Sequence, residues 1–330
     1  MLTNKIETVT GTIDVDQLGP TLMHEHLRVE FAGWESNTKV PPLQTHEEMV
    51  EVCIKNITGL QERGVKSMLD PCPIDLGRDV NLAKEVSEKT GFQIICATGL
   101  YKEEWGGAPY WKFRQNFGMG GIDEMTDLFV HELTKGIGDT GIKAGIIKVA
   151  TGHGEISDYD MAVLQAAAAA SVETGAPVTT HTEEGLGGDV QQKILMDAGV
   201  PAHRIIIGHT CGNDDHEFHL KLLEKGTYVG FDRFGITPEF PDEKRVASLL
   251  RLLKKNRENR IVVGQDSVWC SAGGAIPEEV WATLDRDVVF NPLHFHDHII
   301  PQLLEGGATQ EQIDTMLIDN PRRFFLGDPD

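Results

Sequence analysis

The sequence of 330 residues predicts an α/β protein built as a (β/α)8 barrel, the TIM-barrel architecture. Three observations support this fold class. Short apolar segments alternate with longer helical patterns, which is typical of βαβ units and a parallel sheet. The apolar segments are almost continuous, as in strands that are buried on both faces. About eight such units follow one another, which is the number that closes a parallel barrel.

The predicted strands are the apolar segments, taken in chain order. They cover residues 21–26, 66–71, 93–99, 144–152, 177–182, 204–210, 227–233 and 260–266. Helical patterns lie between many of them, and glycine often follows the last residue of a pattern, as at a helix C-terminus. These helices are predicted over residues 46–63, 78–90, 158–174, 189–199, 214–225 and 242–256.

A doubly wound open sheet is the alternative fold. It is disfavoured because no G-x-G-x-x-G pattern follows the first predicted strand. The GMGG cluster at 118–121 falls in what the pattern indicates is a long, flexible connection. Because no linker rich in proline or serine divides the chain, a single domain over residues 1–330 is expected.

Composition excludes several classes of function. The chain carries 51 acidic and 30 basic side chains, a net charge of −21, and such a surface repels nucleic acid. Its five cysteines form no C-x-x-C pair, which argues against a disulfide framework and against a cysteine-based zinc site. No apolar stretch approaches the roughly 18 residues of a membrane span. The N-terminus lacks the pattern of a signal peptide, so a soluble, cytoplasmic protein is expected.

Ionisable side chains stand at the ends of five predicted strands. Because the C-terminal ends of barrel strands meet at one mouth, where active sites of this fold lie, these side chains are expected to come together. Imidazole and carboxylate groups are ligands of zinc and similar divalent ions, so the sequence predicts a metal centre. The candidate ligands, in chain order, are His24, His26, Lys148, His181, His209 and Asp266.

The first of these strands ends in HEH. Residues i and i+2 of a strand share one face, so His24 and His26 are expected to point into the barrel while Glu25 faces the helices. Lys148, inside an apolar strand, has two interpretations. In the structural interpretation it extends to the mouth or pairs with a carboxylate, and in the functional one it reacts with carbon dioxide to form a carbamate that could bridge two ions.

The order of these residues resembles that of the amidohydrolase superfamily, and several motifs resemble its phosphotriesterase family. The motifs are HEH, IIKVATG, GAPVTTHT, RIIIGHT and GQDSVW, and the similarity extends from about residue 7 to residue 325. The resemblance implies a binuclear metal centre, with zinc as the expected metal and cobalt, manganese or iron as alternatives. It implies a carbamylated Lys148, a bridging hydroxide, a buried ion held by His24, His26 and Asp266, and an exposed ion held by His181 and His209.

The resemblance further implies a hydrolase that acts on ester bonds. The hydroxide would be the nucleophile, because metal ions lower the pKa of bound water. Asp266 would take its proton and pass it to the leaving oxygen. Family members are often homodimers, so a homodimer is expected, with a small-molecule substrate and neither a nucleic acid nor a membrane as partner.

Two positions favour a lactonase over a phosphotriesterase within this family. Tyr101 follows the third strand, as in the phosphotriesterase-like lactonases, where the phosphotriesterases carry a tryptophan. Arg233 follows the seventh strand, where the phosphotriesterases have a proton-relaying histidine. The carboxylate that pairs with that histidine would fall near Gly212 and is absent. Tyr101 is therefore expected to position a lactone ring and Arg233 to anchor the surrounding loop, both as catalytic and substrate-binding residues.

The loop after Asp266 is expected to cover the mouth with apolar side chains that suit an acyl chain. The expected substrates are N-acyl-homoserine lactones or other γ- and δ-lactones, which implies quorum quenching, with promiscuous hydrolysis of organophosphate triesters. A phosphotriesterase, a carboxylesterase and a metal-containing barrel that binds a ligand without turnover are the alternatives. The loop, from Trp269 to Pro292, contains Trp269 and Cys270 as substrate-binding candidates, and Ile276, Val280, Trp281 and Leu284 as further apolar residues.

The remaining candidates are given structural roles. The HFHDH segment at 294–298 is the densest histidine cluster, and it is expected in a loop before the final helix, without a functional metal. His153 is a candidate for the mouth, and Asp232 is expected to point away from Arg233. Solvated or capping roles are expected for His46, His131, His203, His216 and His219.

Overall fold

A computed structural model describes residues 4–39, 41–274, 280 and 282–329 of the chain. Its strands lie close to the predicted segments, with an added hairpin at the N-terminus and a split first strand. In chain order they are β1 Lys5–Thr8, β2 Gly11–Asp14, β3 Thr21–Leu22, β4 Glu25–Arg28, β5 Ser67–Asp70, β6 Gln93–Gly99, β7 Ile146–Ala150, β8 Val178–His181, β9 Ile205–Ile207, β10 Tyr228–Phe231, β11 Ile261–Val263 and β12 Ser267–Cys270.

Eight parallel strands form a barrel. Strands β3 and β5 to β11 pair with their neighbours in chain order and make one eight-stranded sheet. The sheet closes where its first and last strands meet, because the Met23 amide donates to the Val263 carbonyl across 2.9 Å and β12 pairs in parallel with β4. The (β/α)8 barrel predicted from the sequence is therefore confirmed.

Helices surround the barrel. They are α1 His46–Glu62, α2 Val80–Thr90, α3 Pro109–Asn116, α4 Ile122–Thr134, α5 Asp158–Thr174, α6 Gly188–Asp197, α7 His216–Glu224, α8 Asp242–Leu253, α9 Ile300–Glu305, α10 Gln310–Asp314 and α11 Asn320–Leu326. The segments Phe295–Ile299 and Thr315–Asp319 are π-helical. Short 3-10 turns cover Val15–Gln17, Trp34–Ser36, Glu103–Trp105, Ala202–Arg204, Thr210–Gly212 and Glu258–Arg260. Among the described helices, none has the length and apolar character that a membrane crossing requires.

Local sequence sets the limits of several helices. Thr45 begins α1 by accepting a hydrogen bond from the Glu48 amide, as Ser, Thr and Asp residues do at helix N-termini. Gly91 ends α2 and Gly175 ends α5, each with a left-handed φ, of 71° and 78°. These glycines explain why the predicted ends of both helices agree with the structure.

The apolar core has two layers. One lies between the strands and the surrounding helices. The other fills the lower part of the barrel with Met23, which lies between β3 and β4, and with strand residues that include Leu69, Ile95, Ile146, Ile206 and Val262. The C-terminal ends of the strands carry polar side chains instead, and these form the site described below.

Two predictions about local structure are wrong. The region around GMGG, predicted as a long connection, contains α3 and α4, with only residues 117–121 between them. The HFHDH segment, predicted as a loop, is helical and leads into α9. In α3 the reason is its length, because eight residues between the glycines at 106–107 and the GMGG cluster at 118–121 are too few for a helical pattern to stand out.

Candidate metal centre and substrate pocket

Four of the six predicted ligands form a tight, buried group at the mouth of the barrel. Lys148 Nζ lies 3.1 Å from His24 Nε2. Asp266 Oδ1 lies 3.1 Å from His26 Nε2 and 3.5 Å from His24 Nε2. The nitrogen and oxygen atoms of His24, His26 and Asp266 are thus close enough together to share one metal ion.

The other two predicted ligands, His181 and His209, stand beside this group. The His209 ring centroid lies 4.7 Å from that of His24 and 4.6 Å from that of His181. His209 Nε2 lies 3.7 Å from Asp266 Oδ2. The structure therefore brings together all six residues that the sequence singles out.

Two of these residues have a left-handed backbone, which is rare outside glycine. The φ angle is 60° at His209 and 52° at Asp266. Such a conformation costs about 1–3 kcal/mol and occurs mainly at functional sites. It turns each side chain into the mouth just after its strand ends. Gly208 permits the turn at His209, because a Cβ at this position would lie 2.1 Å from the Thr180 carbonyl oxygen.

A single buried carboxylate, that of Asp232, orients two of the histidines. His24 Nδ1 donates to Asp232 Oδ2 across 3.2 Å, and His209 Nδ1 donates to Asp232 Oδ1 across 3.0 Å. Both rings therefore direct Nε2 into the mouth. The expectation that Asp232 points away from Arg233 is wrong, because β10 ends at Phe231 and the alternation of strand faces ends with it.

Two more carboxylates stand behind the remaining histidines. His181 Nε2 donates to Glu183 Oε1 across 2.7 Å. His26 Nδ1 lies 3.4 Å from Asp70 Oδ1, without the geometry of a hydrogen bond. Burial lowers the pKa of His26, but Asp266 and Asp70 outweigh this effect and raise it well above its usual value. Each histidine of the centre thus has a carboxylate on the side away from the mouth, as ligands of metal ions commonly do.

Three of the histidines are held in the neutral form. Burial, reinforced by the charge of Lys148, lowers the pKa of His24 to about 4. Burial, reinforced by Arg233, lowers the pKa of His209 to about 3. Burial also places the pKa of His181 well below its usual value. Because a metal ion binds only the neutral imidazole, these rings are prepared for an ion at neutral pH.

Lys148 is buried in the middle of this cluster. Its ammonium group forms no ion pair with a carboxylate of the described residues. Burial lowers its pKa to about 8, although Asp266 and Asp232 act in the opposite direction. The interpretation that Lys148 pairs with a carboxylate is therefore not supported by the described contacts.

The atoms that face the mouth suit a divalent ion. His209 Nε2 is buried and has no hydrogen-bond partner among the described residues, which is costly unless another group binds it. Neutral imidazole nitrogens together with an ionised carboxylate are the donor set that zinc and similar ions prefer. The residues present therefore fit a metal centre.

Asp266 is also paired with an arginine. Arg233 Nε donates to Asp266 Oδ2 across 2.9 Å, and Arg233 NH1 donates to Glu239 Oε2 across 2.7 Å. Burial would raise the pKa of Asp266, but His209, His24 and Arg233 hold it well below its usual value. Asp266 is therefore ionised, and Arg233 joins it to the loop after β10.

Glu25, between the two histidines of HEH, faces the opposite side of the strand as expected. Its carboxylate is nevertheless buried, and it accepts hydrogen bonds from the Gln265 amide across 2.8 Å and from the Ser267 amide across 3.3 Å. The Ser267 hydroxyl donates to it as well. Because Gln265 and Ser267 flank Asp266, Glu25 fixes the segment that carries this ligand.

Tyr101 borders the exposed half of the centre. Its hydroxyl oxygen lies 3.3 Å from His181 Nδ1, and its amide donates to Asp75 Oδ1 across 2.8 Å. Burial raises the pKa of Tyr101 well above its usual value, so the phenol keeps its proton and can donate a hydrogen bond.

A cavity of about 470 Å³ opens above the six clustered residues. Arg233 and Tyr101 border it together with a largely apolar wall. The wall includes Phe31, Leu43, Trp105, Ile236, Trp269 and Phe290.

The loop after Asp266 supplies only part of this wall. Trp269 and Cys270 line the cavity as predicted, whereas Val280 and Leu284 lie outside its lining. Ile276 and Trp281 lie outside the described residues. Instead, the loops after the first and third strands contribute apolar side chains, which the sequence did not indicate because these loops show no regular pattern.

The other histidines are not among the residues that line the cavity. His294 is buried, and its Nε2 donates to Asp242 Oδ2 across 2.7 Å. His219 is also buried, with its Nε2 at 2.8 Å from the Thr210 carbonyl oxygen, so the prediction that it is solvated is wrong. His153 is exposed and pairs with Glu104 across 2.8 Å.

Comparison with known proteins places the chain in a family. The model of the phosphotriesterase family matches residues 4–325. The chain belongs to the phosphotriesterase family. The resemblance inferred from the motifs is thereby confirmed.

The similarity to known relatives extends over nearly the whole chain. A phosphotriesterase homology protein of Mycobacterium tuberculosis (strain CDC 1551 / Oshkosh) is 36% identical over 325 residues, 97% of each chain. An aryldialkylphosphatase of Saccharolobus solfataricus is 32% identical and covers 95% of this chain and 97% of its own. A phospho-furanose lactonase of Mycoplasmopsis synoviae is 26% identical and covers 97% and 91%. The prediction of a hydrolase that acts on ester bonds is confirmed at the level of the family.

Solved structures of the family agree closely with this one. The organophosphorus hydrolase from Deinococcus radiodurans is 38% identical, with a TM-score of 0.91 over 97% of this chain and 96% of its own. An organophosphate-hydrolysing enzyme engineered from a weak promiscuous lactonase is 36% identical, with a TM-score of 0.91 over 97% and 99%.

The carboxylates behind the ligands are what sequence reasoning missed in this family member. A signal for them was present, since each lies at or just beyond the C-terminal end of a strand. Asp70 is the last residue of β5, Glu183 follows β8 by two residues and Asp232 follows β10 directly. A search for acidic residues at every strand end, and not only for metal ligands, would have found all three.

Proposed function

We propose that this family member is a metal-dependent lactonase that opens N-acyl-homoserine lactones or other γ- and δ-lactones, with weaker hydrolysis of organophosphate triesters. The observation that carries the proposal is the Arg233–Asp266 ion pair beside a largely apolar cavity that Tyr101 borders. Arg233 stands where the phosphotriesterases are expected to have a proton-relaying histidine. A guanidinium group keeps its proton, so it cannot serve as such a relay.

Two divalent ions complete the site in this proposal, with zinc expected and cobalt, manganese or iron as alternatives. His24, His26 and Asp266 would hold the buried ion, and His181 and His209 the exposed ion. When bound, such ions polarise the scissile group and lower the pKa of water. The neutral imidazoles support this assignment, as does His209 Nε2, which has no hydrogen-bond partner in the described part of the chain.

Lys148 would join the two halves of the centre as a carbamate. Its ammonium group first loses one proton. The neutral amine then adds to carbon dioxide, so that a nitrogen–carbon bond forms, one carbon–oxygen π bond breaks and a second proton is released, which leaves an anionic carbamate. Its burial, and the lack of an ion pair with any carboxylate of the described residues, support this modification. The variant Lys148→Ala is expected to lose bound metal and activity together, as measured by elemental analysis and lactone turnover. Full activity in this variant would refute the bridging role.

The chain's own residues would orient the substrate and move protons. The Tyr101 hydroxyl would donate a hydrogen bond to the lactone, next to His181. Asp266 would accept a proton from the attacking water and return it to the alkoxide of the opened ring. Arg233 holds Asp266 Oδ2, so that Oδ1 stays directed at His24 and His26.

The acyl chain of the substrate would lie against the apolar wall of the cavity. Each buried methylene contributes about 0.8 kcal/mol, so kcat/KM should rise with chain length until the cavity is filled. Hydrolysis of N-acyl-homoserine lactones would make the protein a quorum-quenching enzyme. The phospho-furanose lactonase among the relatives supports lactone chemistry in this family.

A comparison of three substrate classes tests the proposal. We expect kcat/KM to be highest for an N-acyl-homoserine lactone or a simple δ-lactone, and lower for a paraoxon-type triester, with the metal-loaded protein in each case. The metal-depleted protein is the control. A triester rate far above every lactone rate would replace the lactonase by a phosphotriesterase, and an aryl ester preferred over both would indicate a carboxylesterase.

A metal-containing barrel that binds a ligand without turnover is the alternative from another class of function. Metal analysis together with turnover separates the two. Less than one ion per chain after expression with added zinc, cobalt or manganese would count against the enzyme. Two bound ions without turnover of any of the three substrate classes would favour the binding protein.

We also propose a homodimer in the cytoplasm. The five cysteines are free, which suits a reducing compartment. The α3 surface, formed by Tyr110, Phe113 and Phe117, supports the homodimer, because these side chains share one helix face and are 61%, 55% and 67% exposed. Residues 105–122 contain no acidic side chain in a chain of net charge −21, and their two basic side chains, Lys112 and Arg114, are paired with Glu103 and Glu124, which limits the repulsion between two copies.

A further inference from the structure

A buried ion pair beside the exposed half of the centre has no part in the proposed chemistry. It joins Lys102, whose side chain is fully buried, to Glu183, which is 8% exposed. The two charges come from different parts of the barrel, since Lys102 follows β6 and Glu183 follows β8. Removing two charges from water costs free energy, so a buried ion pair such as Lys102–Glu183 is not explained by the solubility of the surface.

Glu183 uses the same oxygen for a second contact. Its Oε1 accepts the hydrogen bond from His181 Nε2 across 2.7 Å, in addition to the contact with Lys102. A carboxylate on Nε2 fixes the tautomer of the ring, because Nε2 then carries the hydrogen and Nδ1 has a free lone pair. Nδ1 is the nitrogen that faces the cavity, where the Tyr101 hydroxyl lies 3.3 Å away.

Lys102 connects this carboxylate to the loop that carries Tyr101. Its ammonium nitrogen lies 3.8 Å from the centroid of the Trp105 ring and 3.3 Å from Glu104 Oε2. Tyr101 directly precedes it, and both aromatic residues line the substrate cavity. Lys102 therefore links the Glu183 carboxylate, which is bonded to His181, to the loop that carries Tyr101.

A third metal site is the competing explanation for this cluster. Glu104, His153 and Glu183 place their donor atoms close together, as in a metal site. The Lys102 ammonium, however, contacts both Glu183 and Glu104 and occupies the position that a cation would take. The chain itself therefore already supplies a cation to both carboxylates of the cluster.

We propose that Glu183 is a positioning residue for the exposed ion, which presents His181 Nδ1 to the cavity, and that Lys102 holds Glu183 in place and ties it to the Tyr101 loop. This inference rests on the proposed metal centre. It does not depend on which ester is hydrolysed, since it concerns the affinity of one of the two ions.

Two adjacent glutamates offer a matched experiment. Glu183→Gln keeps the size of the side chain but removes its charge, and Glu184→Gln makes the same change at an exposed neighbour without contact to the centre. Metal-depleted proteins would be titrated with cobalt(II) and followed by visible absorption. We expect the second of two binding steps to weaken about 10- to 100-fold in Glu183→Gln, as is usual for a lost carboxylate partner of a ligand histidine. The first step should match the parent and Glu184→Gln.

Lys102→Met separates positioning from simple stability. The methionine keeps much of the apolar stem but loses the charge, and we expect a smaller weakening of the same second step. Equal cobalt affinities in the parent and in Glu183→Gln would overturn the proposal. So would an equal loss of both steps together with a lower midpoint of thermal unfolding, because that result indicates a structural pair. If the parent binds two ions normally but hydrolyses no lactone, the proposed function fails while this inference stands.

Discussion

The two halves of the metal centre are held in different ways. The buried half, with His24, His26 and Asp266, lies where the barrel closes, and its ligands are fixed by neighbouring segments of the first and last strands. The exposed half depends on side chains that follow separate strands, such as Glu183 behind His181. The arrangement of the buried half follows from the closure of the barrel. The side chains of the exposed half can be replaced without changing the fold. We therefore expect changes in the buried half to affect folding and metal binding together, and changes in the exposed half to affect metal binding or turnover alone.

Apart from the change at Lys148, the largest effect is expected from Asp232, which tests the comparison because it contacts a ligand of each half. Asp232→Asn leaves one oxygen acceptor for two histidines, His24 and His209. Each lost partner of this kind lowers metal affinity by about 10- to 100-fold. We expect both binding steps to weaken, and kcat/KM to fall by more than about 100-fold, as measured by metal titration and lactone hydrolysis. Asp242→Asn, at a buried carboxylate bonded to His294 outside the centre, is the control. Normal affinity for one of the ions in Asp232→Asn would contradict a shared role.

A change at Glu25 tests the buried half by itself. Glu25→Gln removes one of the acceptor oxygens that hold Gln265 and Ser267. A buried donor left unsatisfied costs about 1–3 kcal/mol, so we expect the free energy of unfolding in urea to fall by about that amount. We also expect the variant to hold Asp266 less firmly, so that the first metal-binding step weakens.

Ser267→Ala provides a second test of the same contact. It removes the hydroxyl that donates to the Glu25 carboxylate and that accepts from Trp269 Nε1 across 2.7 Å, so we expect a loss of about 1–3 kcal/mol. If neither variant changes the urea midpoint, the contact between the strands does not stabilise the closure.

Removing the Tyr101 hydroxyl tests the exposed half at the level of the substrate. Tyr101→Phe should leave both metal affinities unchanged and lower kcat/KM for lactones about 5- to 10-fold, the equivalent of one hydrogen bond of about 1–1.4 kcal/mol. Tyr110→Phe, on the exposed α3 surface, is the matched control. An unchanged kcat/KM in Tyr101→Phe would show that the phenol does not bind the substrate.

The smallest effect on the centre is expected from the α3 surface, which lies outside both halves. The double variant Phe113→Glu and Phe117→Glu should convert a dimer into a monomer, as measured by sedimentation, with kcat/KM changed less than about two-fold. Val172→Glu, at an exposed apolar residue of α5, should remain dimeric. A parent protein that is already monomeric at micromolar concentration would refute the proposed dimer.

The sequence predicted well those features that depend on local pattern. Strand segments such as 93–99 and the helix over 158–174 agree with the structure to the residue. The strand is continuously apolar and the helix rich in alanine because both are buried in the barrel. Gly91 ends α2 just before the strand, and Gly175 ends the helix itself. The convergence of the six candidate ligands was predicted for the same reason, because a parallel barrel brings all strand ends to one mouth.

The features that were not predicted depend on geometry beyond a strand's last residue. The face of Asp232 could not be inferred from alternation, because alternation ends with β10 at Phe231. The partnership of Lys102 with Glu183 joins residues 81 positions apart. Helix α3 was missed because it has only eight residues between two glycine-rich segments, which is less than the length over which a helical pattern can be recognised.

The carboxylate of Glu25 has a consequence for any attempt to transplant this chemistry. Three consecutive side chains, His24, Glu25 and His26, alternate between two tasks, since the outer pair faces the mouth and the middle one holds the two neighbours of Asp266. A designer who copies only the histidines into another barrel would obtain the ligands without the hydrogen bonds that join the first strand to the segment carrying Asp266. Glu25 and Ser267 must therefore be transferred together with the two histidines.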